Sequence, residues 1–364
     1  FRGMARWLVA TAIALCGLAW RKCELTDTDR IIYNHRPGVC RVIPGIEKGS
    51  EDIELVRSEG IAFITSGVVF MQQQRTNVTG KIFLYDFNQK EQLQVTELPI
   101  NGASFKQAAF HPHGLSHWIV SGVIRLYVIS HTMDYKHSVE VFDYDPSGPS
   151  LLHKKTIKNP SFFRPNDLVA VGPDQFLLNN DGVAQTERTN MIENLFSYRG
   201  GSVVLWDGND SHTVLSGMRG PNGAVYDKKS DKIIISETSN MRLIVYDISK
   251  DKKTLAQVSA FELYTLCDNL FLDDGGSVYC GCHPKLNEAA VAFSDCDGNT
   301  TSSSQVLRIQ FDKDYKTAAI SEPYANDGKE LSGSSVAIVH NNQMLIGSVC
   351  KGLLHCEIYD SSVL

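Results

Sequence analysis

Apolar residues along this chain come in short runs, and the runs come in pairs. "RPNDLVAVGPDQFLLNND" (164–181) sets LVAV and FLL on either side of a Gly-Pro-Asp turn, the mark of a β-hairpin. The same form, with a polar opening, an apolar strand, a turn and a second apolar strand, recurs five more times. The others are "EDIELVRSEGIAFITSG" (51–67), "PHGLSHWIVSGVIRLYVISH" (112–131), "PNGAVYDKKSDKIIISET" (221–238), "CDNLFLDDGGSVYCGCH" (267–283) and "SGSSVAIVHNNQMLIGSV" (332–349). A third strand follows each, often closing on an aromatic and Asp, as in "KIFLYDF" (81–87), "SVEVFDYD" (138–145) and "RLIVYDI" (242–248). Between Cys40 and Cys356 this gives roughly 53 residues per unit, near the long end of the periods that mark propellers. Helical periodicity is nearly absent. The one convincing helix is "TNMIENLFSY" (189–198), with Met191, Ile192, Leu195 and Phe196 on one side. By itself it predicts a helix packed on the top of the body. The pattern as a whole predicts an all-β, six-bladed β-propeller over 25–364. A β-sandwich would leave six equivalent three-strand units unexplained.

The strand heads break the apolar pattern. They read Glu51-Asp52, His113, Asn166-Asp167, Asn222, Asp268-Asn269 and, in the sixth unit, Ser334-Ser335. Strands disfavour most of these residues. In a propeller the first strand of every blade lines the central channel, so these heads converge at one mouth. Side-chain oxygens from Glu51, Asn166, Asn222, Asp268 and Asn269 would form an all-oxygen set of mixed charge. Ca²⁺ takes such a set, whereas zinc would want more His or Cys. A single Asn-Asp pair would read as a turn cap. Repeated in phase around a ring, it reads as a site.

The termini and the bulk composition add a setting. Net charge is −6 and the basic residues are scattered through turns such as "DKKSDK" (227–232), which leaves no stripe to track a nucleic acid. "WLVATAIALCGLAW" (7–20), between Arg6 and Arg21-Lys22, is short for a bilayer span and suits a signal-peptide core. It reads as a retained signal anchor or membrane helix over 1–24, with a buried core helix as the alternative. Asn77, Asn209 and Asn299 each open an N-glycosylation acceptor. Such tripeptides also arise by chance, but with the N-terminus they predict a membrane-anchored chain of the secretory pathway with a lumenal or extracellular body. The nine cysteines leave at least one without a partner in the chain, and their spacing does not give the pairing. "CGCH" (280–283) invites a zinc site, yet Cys280 and Cys282 fall on one strand face and read as buried thiols. His111, His117, His137 and His283 read as ordinary strand-end residues. No G-x-S-x-G elbow occurs, which disfavours a serine hydrolase.

"GIEKGSEDIE", "FHPHGLS", "PNDLVAVGP", "PNGA", "TLCDNL", "GCHP" and "LLHCEI" occur here in the order and approximate spacing of the animal paraoxonases, and the resemblance runs from Cys40 to Cys356. Those proteins are calcium-dependent lactonases and arylesterases. The resemblance implies two Ca²⁺ ions. Glu51, Asn166, Asn222, Asp268 and Asn269 match the ligands of the catalytic one. Asp52, Asp167 and the carbonyl of Leu115 match those of a structural ion deeper in the channel. His113 matches the general base, with Glu51 as an alternative base, and His131 matches the partner of His113. Cys40 and Cys356 match a disulfide, Cys282 a free thiol near the pocket, and Phe70 and Asp181 are further candidate pocket residues. The helix at 189–198 resembles the family's lid.

The departures lie in the pocket wall. Phe70 stands where vertebrate members have Tyr, Gly182 where they have His, and Gly220-Pro221 where an aromatic is usual; Cys267, Cys296 and Cys350 are additional. These point to an invertebrate member and put the choice of substrate in doubt. The expected function is hydrolysis of a small lactone or ester, with a membrane or lipid particle met through the N-terminal segment. The alternative is a non-enzymatic chaperone or accessory subunit of a membrane-protein partner such as an ion channel.

Overall fold

Each predicted hairpin opens a separate sheet. In the computed structural model, which describes residues 29–70, 78–89, 93–196 and 198–359 with the single position 17, the first strands are Ile53–Val56, His111–Val120, Pro165–Gly172, Pro221–Asp227, Leu266–Leu272 and Ser334–His340. Apart from position 17, the expected anchor over 1–24, with Cys16 and Cys23, lies outside the described residues, as does the acceptor Asn77. Every sheet is an antiparallel run of four strands except the second, which adds Ile100–Asn101 in parallel as a fifth. The first strands pack one against the next around a ring, and Ser334–His340 meets Ile53–Val56 to close it. The molecule is a six-bladed β-propeller.

The middle strands show why the sequence runs apolar there instead of alternating. In Lys232–Glu237, Ile233 and Ile235 pack with Val169, Val171 and Leu205 of the preceding blade. Ile234 points the other way, into a cluster with Val278 and Ile309 of the following blade. A blade buried on both faces needs apolar residues at every position. The fourth strands lie outermost and are half exposed, as in Leu255–Glu262, so their pattern is weak and the sequence shows only three strands per unit.

The last blade borrows its outer strand from the other end of the chain. Cys40–Val42 pairs antiparallel with Leu353–Glu357, in the register Cys40 opposite Cys356. A disulfide joins that pair across 316 positions, as expected. Among the described residues, two α-helices interrupt the sheets. The first, α1 (Glu187–Leu195), covers most of the predicted stretch. The second, α2 (Leu286–Ser294), has no counterpart in the expectations: its inward positions include Ala289 and Ala292, too small to mark a helical stripe. No helix among the described residues is long and apolar enough to cross a membrane.

Candidate functional site at the channel mouth

The strand heads resolve the conflict between polar residues and apolar strands through bulges. In five of the blades the pairing of first and second strand slips near its start: between Pro112 and Leu115, Pro165 and Asp167, Pro221 and Ala224, Cys267 and Leu270, and Ser334 and Val336. His113, Asn166, Asn222, Asp268-Asn269 and Ser335 sit inside those slips. A bulge frees a residue from the ladder and re-aims its side chain, so each head can turn into the channel. Close approach of the strands requires glycine beside them. A Cβ on Gly223 would lie 2.6 Å from the Asp268 carbonyl oxygen and from the Asn269 Cα.

The predicted oxygen set comes together. Glu51 is 1% exposed and Asn269 1% exposed, and the Asn269 amide donates to Glu51 Oε1 at 2.8 Å. Asn222 donates to Asp268 Oδ1 at 2.5 Å. Ser335, of the sixth blade, donates to the Glu51 carbonyl at 2.6 Å. What remains is a group of acceptors without donors. Glu51 Oε2, Asn166 Oδ1, Asn222 Oδ1 and Asn269 Oδ1 are all buried and have no hydrogen-bond partner. Buried oxygens left unpaired cost roughly 1–3 kcal/mol each, and a cation of oxygen preference satisfies them together. The donor set therefore fits a bound Ca²⁺.

A second acidic group lies deeper. Asp52 Oδ2 accepts from the Leu115 N–H and Asp167 Oδ2 from the Ala224 N–H, each at 2.8 Å, while Asp167 Oδ1 is unpartnered. Both carboxyls are held well above the usual range, by burial first and then by a neighbouring carboxylate: Glu51 for Asp52, and Asp52 for Asp167. Two such groups around a cavity of about 130 Å³ also suit a cation.

Beside the upper oxygens stands His113, buried, with Nε2 3.5 Å from Glu51 Oε1 and Nδ1 2.8 Å from Nε2 of His131. Burial works against a charge on His113, but the carboxylates of Glu51, Asp268 and Asp181 more than offset it, so the ring sits above the usual histidine range. Burial, with the imidazoles of His113, His137 and His111 around it, holds His131 well below that range. His111 and His117 are structural, as expected. His111 bonds the carbonyls of His131 and Val78, and His117 bonds Glu54 at 2.7 Å. His283 is not an ordinary strand-end residue: its Nε2 meets Asp268 Oδ2 at 3.0 Å and orients that carboxylate. Nor is His137, whose Nδ1 lies 2.8 Å from Nδ1 of His131. Sequence alone offered no cue to either. "HPHG" and "GCHP" look alike, and only the pairing across strands separates their histidines.

Cys282 is not the free thiol expected. It is bonded to Cys267, its direct cross-strand partner. The unpaired cysteine among the described residues is the buried Cys280, with Sγ 3.4 Å from that of Cys282. The three sulfurs lie within 4.8 Å, but the disulfide takes two of them. A further disulfide, Cys296–Cys350, sits at the mouth. It forms one apolar cluster with Val349, Phe70 and Phe293. Phe70 meets the His113 ring edge-on at 5.4 Å between centroids, and Phe293 meets His283 likewise at 4.9 Å.

A polar group lies near His113 as well. Arg164 is buried, pairs with Asp181, and bonds Glu193 and Asn190 of α1 at 3.0 Å each. Glu193 in turn accepts from the Ala184 N–H at 2.9 Å. A Cβ on Gly182 would lie 2.7 Å from the Arg164 guanidinium, which explains why a larger residue is missing there. Ile192 on α1 and Phe196 just after it are exposed. Among the acceptor sites, Asn209 and Asn299 are exposed.

Comparison with known proteins gives one consistent answer. The family model described as Arylesterase matches residues 33–358. Human "Serum paraoxonase/arylesterase 2" is 33% identical over 323 residues, 88% of each chain. Human "Serum paraoxonase/lactonase 3" is 31% identical over 358 residues, covering 96% of this chain and 98% of that protein. Among solved structures, a luciferin-regenerating enzyme superposes with a TM-score of 0.53 at 10% identity, over 88% of this chain and 95% of its own.

Proposed function

Because this chain belongs to the arylesterase family, that of the animal serum paraoxonases, we propose that it is a calcium-dependent hydrolase of lactones and aryl esters. The observation that carries this is the set of unpartnered buried oxygens on Glu51, Asn166, Asn222 and Asn269 beside His113. With Asp268 they would hold the catalytic Ca²⁺, and Asp52, Asp167 and the Leu115 carbonyl would hold a second, structural one. When bound, the upper ion supplies polarisation of the ester carbonyl and charge against the developing oxyanion. His113 takes the proton of the attacking water at Nε2, the nitrogen that faces the site, and returns it to the leaving oxygen. His131 orients His113 through its Nδ1. Phe70 packs edge-on against the His113 ring and helps hold it in place.

We place the propeller in the lumen or outside the cell, held by the N-terminal segment to a membrane or lipid particle. The disulfides Cys40–Cys356, Cys267–Cys282 and Cys296–Cys350 support an oxidising compartment, and Asn209 and Asn299 are open to glycans. An accessory subunit without activity would have no use for an intact ring of ligand oxygens, so the enzyme is favoured. Purified protein should hydrolyse lactones of graded chain length and an aryl ester, lose that activity in EDTA and regain it with Ca²⁺. Turnover that survives exhaustive chelation, or none in calcium-loaded protein, would overturn the proposal.

A further inference from the structure

Three imidazoles stand in a row. His113 Nδ1 meets His131 Nε2 at 2.8 Å, and His131 Nδ1 meets His137 Nδ1 at 2.8 Å. A neutral imidazole has one N–H and one lone pair, so a single choice orders the whole row. If His113 is to accept a proton at Nε2, its own N–H is at Nδ1 and points to His131. His131 must then accept at Nε2 and donate from Nδ1, and His137 must accept at Nδ1 and carry its proton on Nε2. Resting on the hydrolase proposed above, we infer that His137 is a positioning residue for His113, acting through His131: it fixes the tautomer of His131 and, through it, that of His113.

The surroundings of His137 fit this task. Its Nε2 is buried. Burial lowers this ring to about 4, yet the Asp181 carboxylate and the Phe163 backbone both favour a proton on it, against His113 and the Arg164 guanidinium. Tyr135 packs on both His131 and His137, with centroids 5.3 and 4.7 Å away, and keeps the two rings in line. His131, buried beside three other imidazoles, is a poor place for a charge to rest, so it stays neutral and its tautomer decides which nitrogen it offers His113. Beyond His137 a separate surface cavity of about 490 Å³ opens, lined also by Ser130, Lys136, Glu140 and Lys158. His137 thus stands between the sealed pair and the outside of the second blade.

Two variants and one spectrum test this. His137→Phe keeps the shape and removes both nitrogens; kcat should fall about 10- to 100-fold, the usual worth of an orienting partner of a working histidine. KM, calcium content and melting temperature should hold. His137→Asn offers an oxygen near the Nδ1 position and should recover kcat to within roughly threefold of wild type. Wild-type kcat in His137→Phe, or an Asn variant as slow as the Phe one, overturns the inference. Nitrogen-15 NMR of the histidine rings reads the order directly: His131 should be protonated on Nδ1 in wild type, and protonation on Nε2 overturns the inference even if both variants are slow. Should wild type hydrolyse no lactone or ester, the hydrolase proposal fails by itself, and the His131 tautomer still decides the place of His137.

Discussion

The Asn269 amide donates to Glu51 Oε1 at 2.8 Å, joining the heads of two inner strands 218 positions apart in sequence. The same amide also donates to the Glu51 carbonyl at 3.0 Å, and Glu51 Oε2 and Asn269 Oδ1 are left bare. Together with Asn222 bonded to Asp268, it links the fourth blade, the fifth and the first around an unfilled set of acceptors.

The first prediction concerns the metal. An ion bound only by the folded chain stabilises it by about 3–4 kcal/mol at 100 to 1,000 times its dissociation constant. Chelation with EDTA should therefore lower the melting temperature clearly, and Ca²⁺ should restore it. Calorimetry with elemental analysis of the same sample checks this. A metal-free protein with an unchanged melting temperature would remove the ion from the fold.

Metal and base can be separated by mutation. His113→Gln should lower kcat by roughly 10²–10⁴-fold, the worth of a positioned proton transfer, with calcium content and melting temperature nearly unchanged because imidazole is not among the oxygen ligands. Asp268→Ala should lose calcium and activity together, and it also strips His283 of its partner. Parallel kinetics and metal analysis on the two variants decide. Near wild-type turnover in a calcium-loaded His113→Gln protein would move the base to Glu51.

How much of this could be read in the sequence depends on which physical signal each feature leaves. Blade count and the inner-strand heads were legible because burial on both faces makes strands such as Lys232–Glu237 continuously apolar. Against that background Asn166-Asp167 stands out. The bulges that turn those heads inward leave no such mark, since a slipped register such as that between Cys267 and Leu270 is a property of two strands at once. The same reason hid the Cys267–Cys282 bond: Cys280 and Cys282 share a face of one strand, but only the partner strand shows which of them faces Cys267. The helix α2 was missed because alanine fills its buried positions. His137 and His283 were passed over because their partners, His131 and Asp268, are set by strand pairing and not by spacing along the chain.

The cysteine pairing is directly measurable. A non-reduced peptide map should show Cys40–Cys356, Cys267–Cys282 and Cys296–Cys350, and native protein should leave Cys280 unalkylated because burial pushes its thiol well up. Replacing Cys40 and Cys356 by Ser should cost on the order of 5 kcal/mol in the chain-entropy model, given the length of loop the bond closes. A free thiol at Cys40 or Cys356 in folded protein would show that the ring is held shut by strand pairing alone.

Substrate choice should reside in the apolar wall. Phe70 faces the His113 ring, Phe293 faces His283, and both pack on the Cys296–Cys350 disulfide, so one covalent link holds two sides of the mouth at a set distance. An aromatic contact of this kind is worth roughly 0.5–1.5 kcal/mol beyond its buried area. Phe70→Ala should therefore raise KM for an aryl ester several-fold, with a smaller effect on a short unsubstituted lactone, which has less apolar surface to place. Calcium content should be unaffected, since Phe70 carries no ligand atom. The double change Cys296→Ser with Cys350→Ser should act in the same direction by loosening both walls, shifting preference among lactones of graded chain length while leaving the melting temperature in calcium dependent on EDTA as before. The measurement is kcat and KM across that series for wild type and the two variants. If Phe70→Ala changes kcat for all substrates equally and leaves every KM alone, the ring is setting the position of His113 and not receiving the substrate.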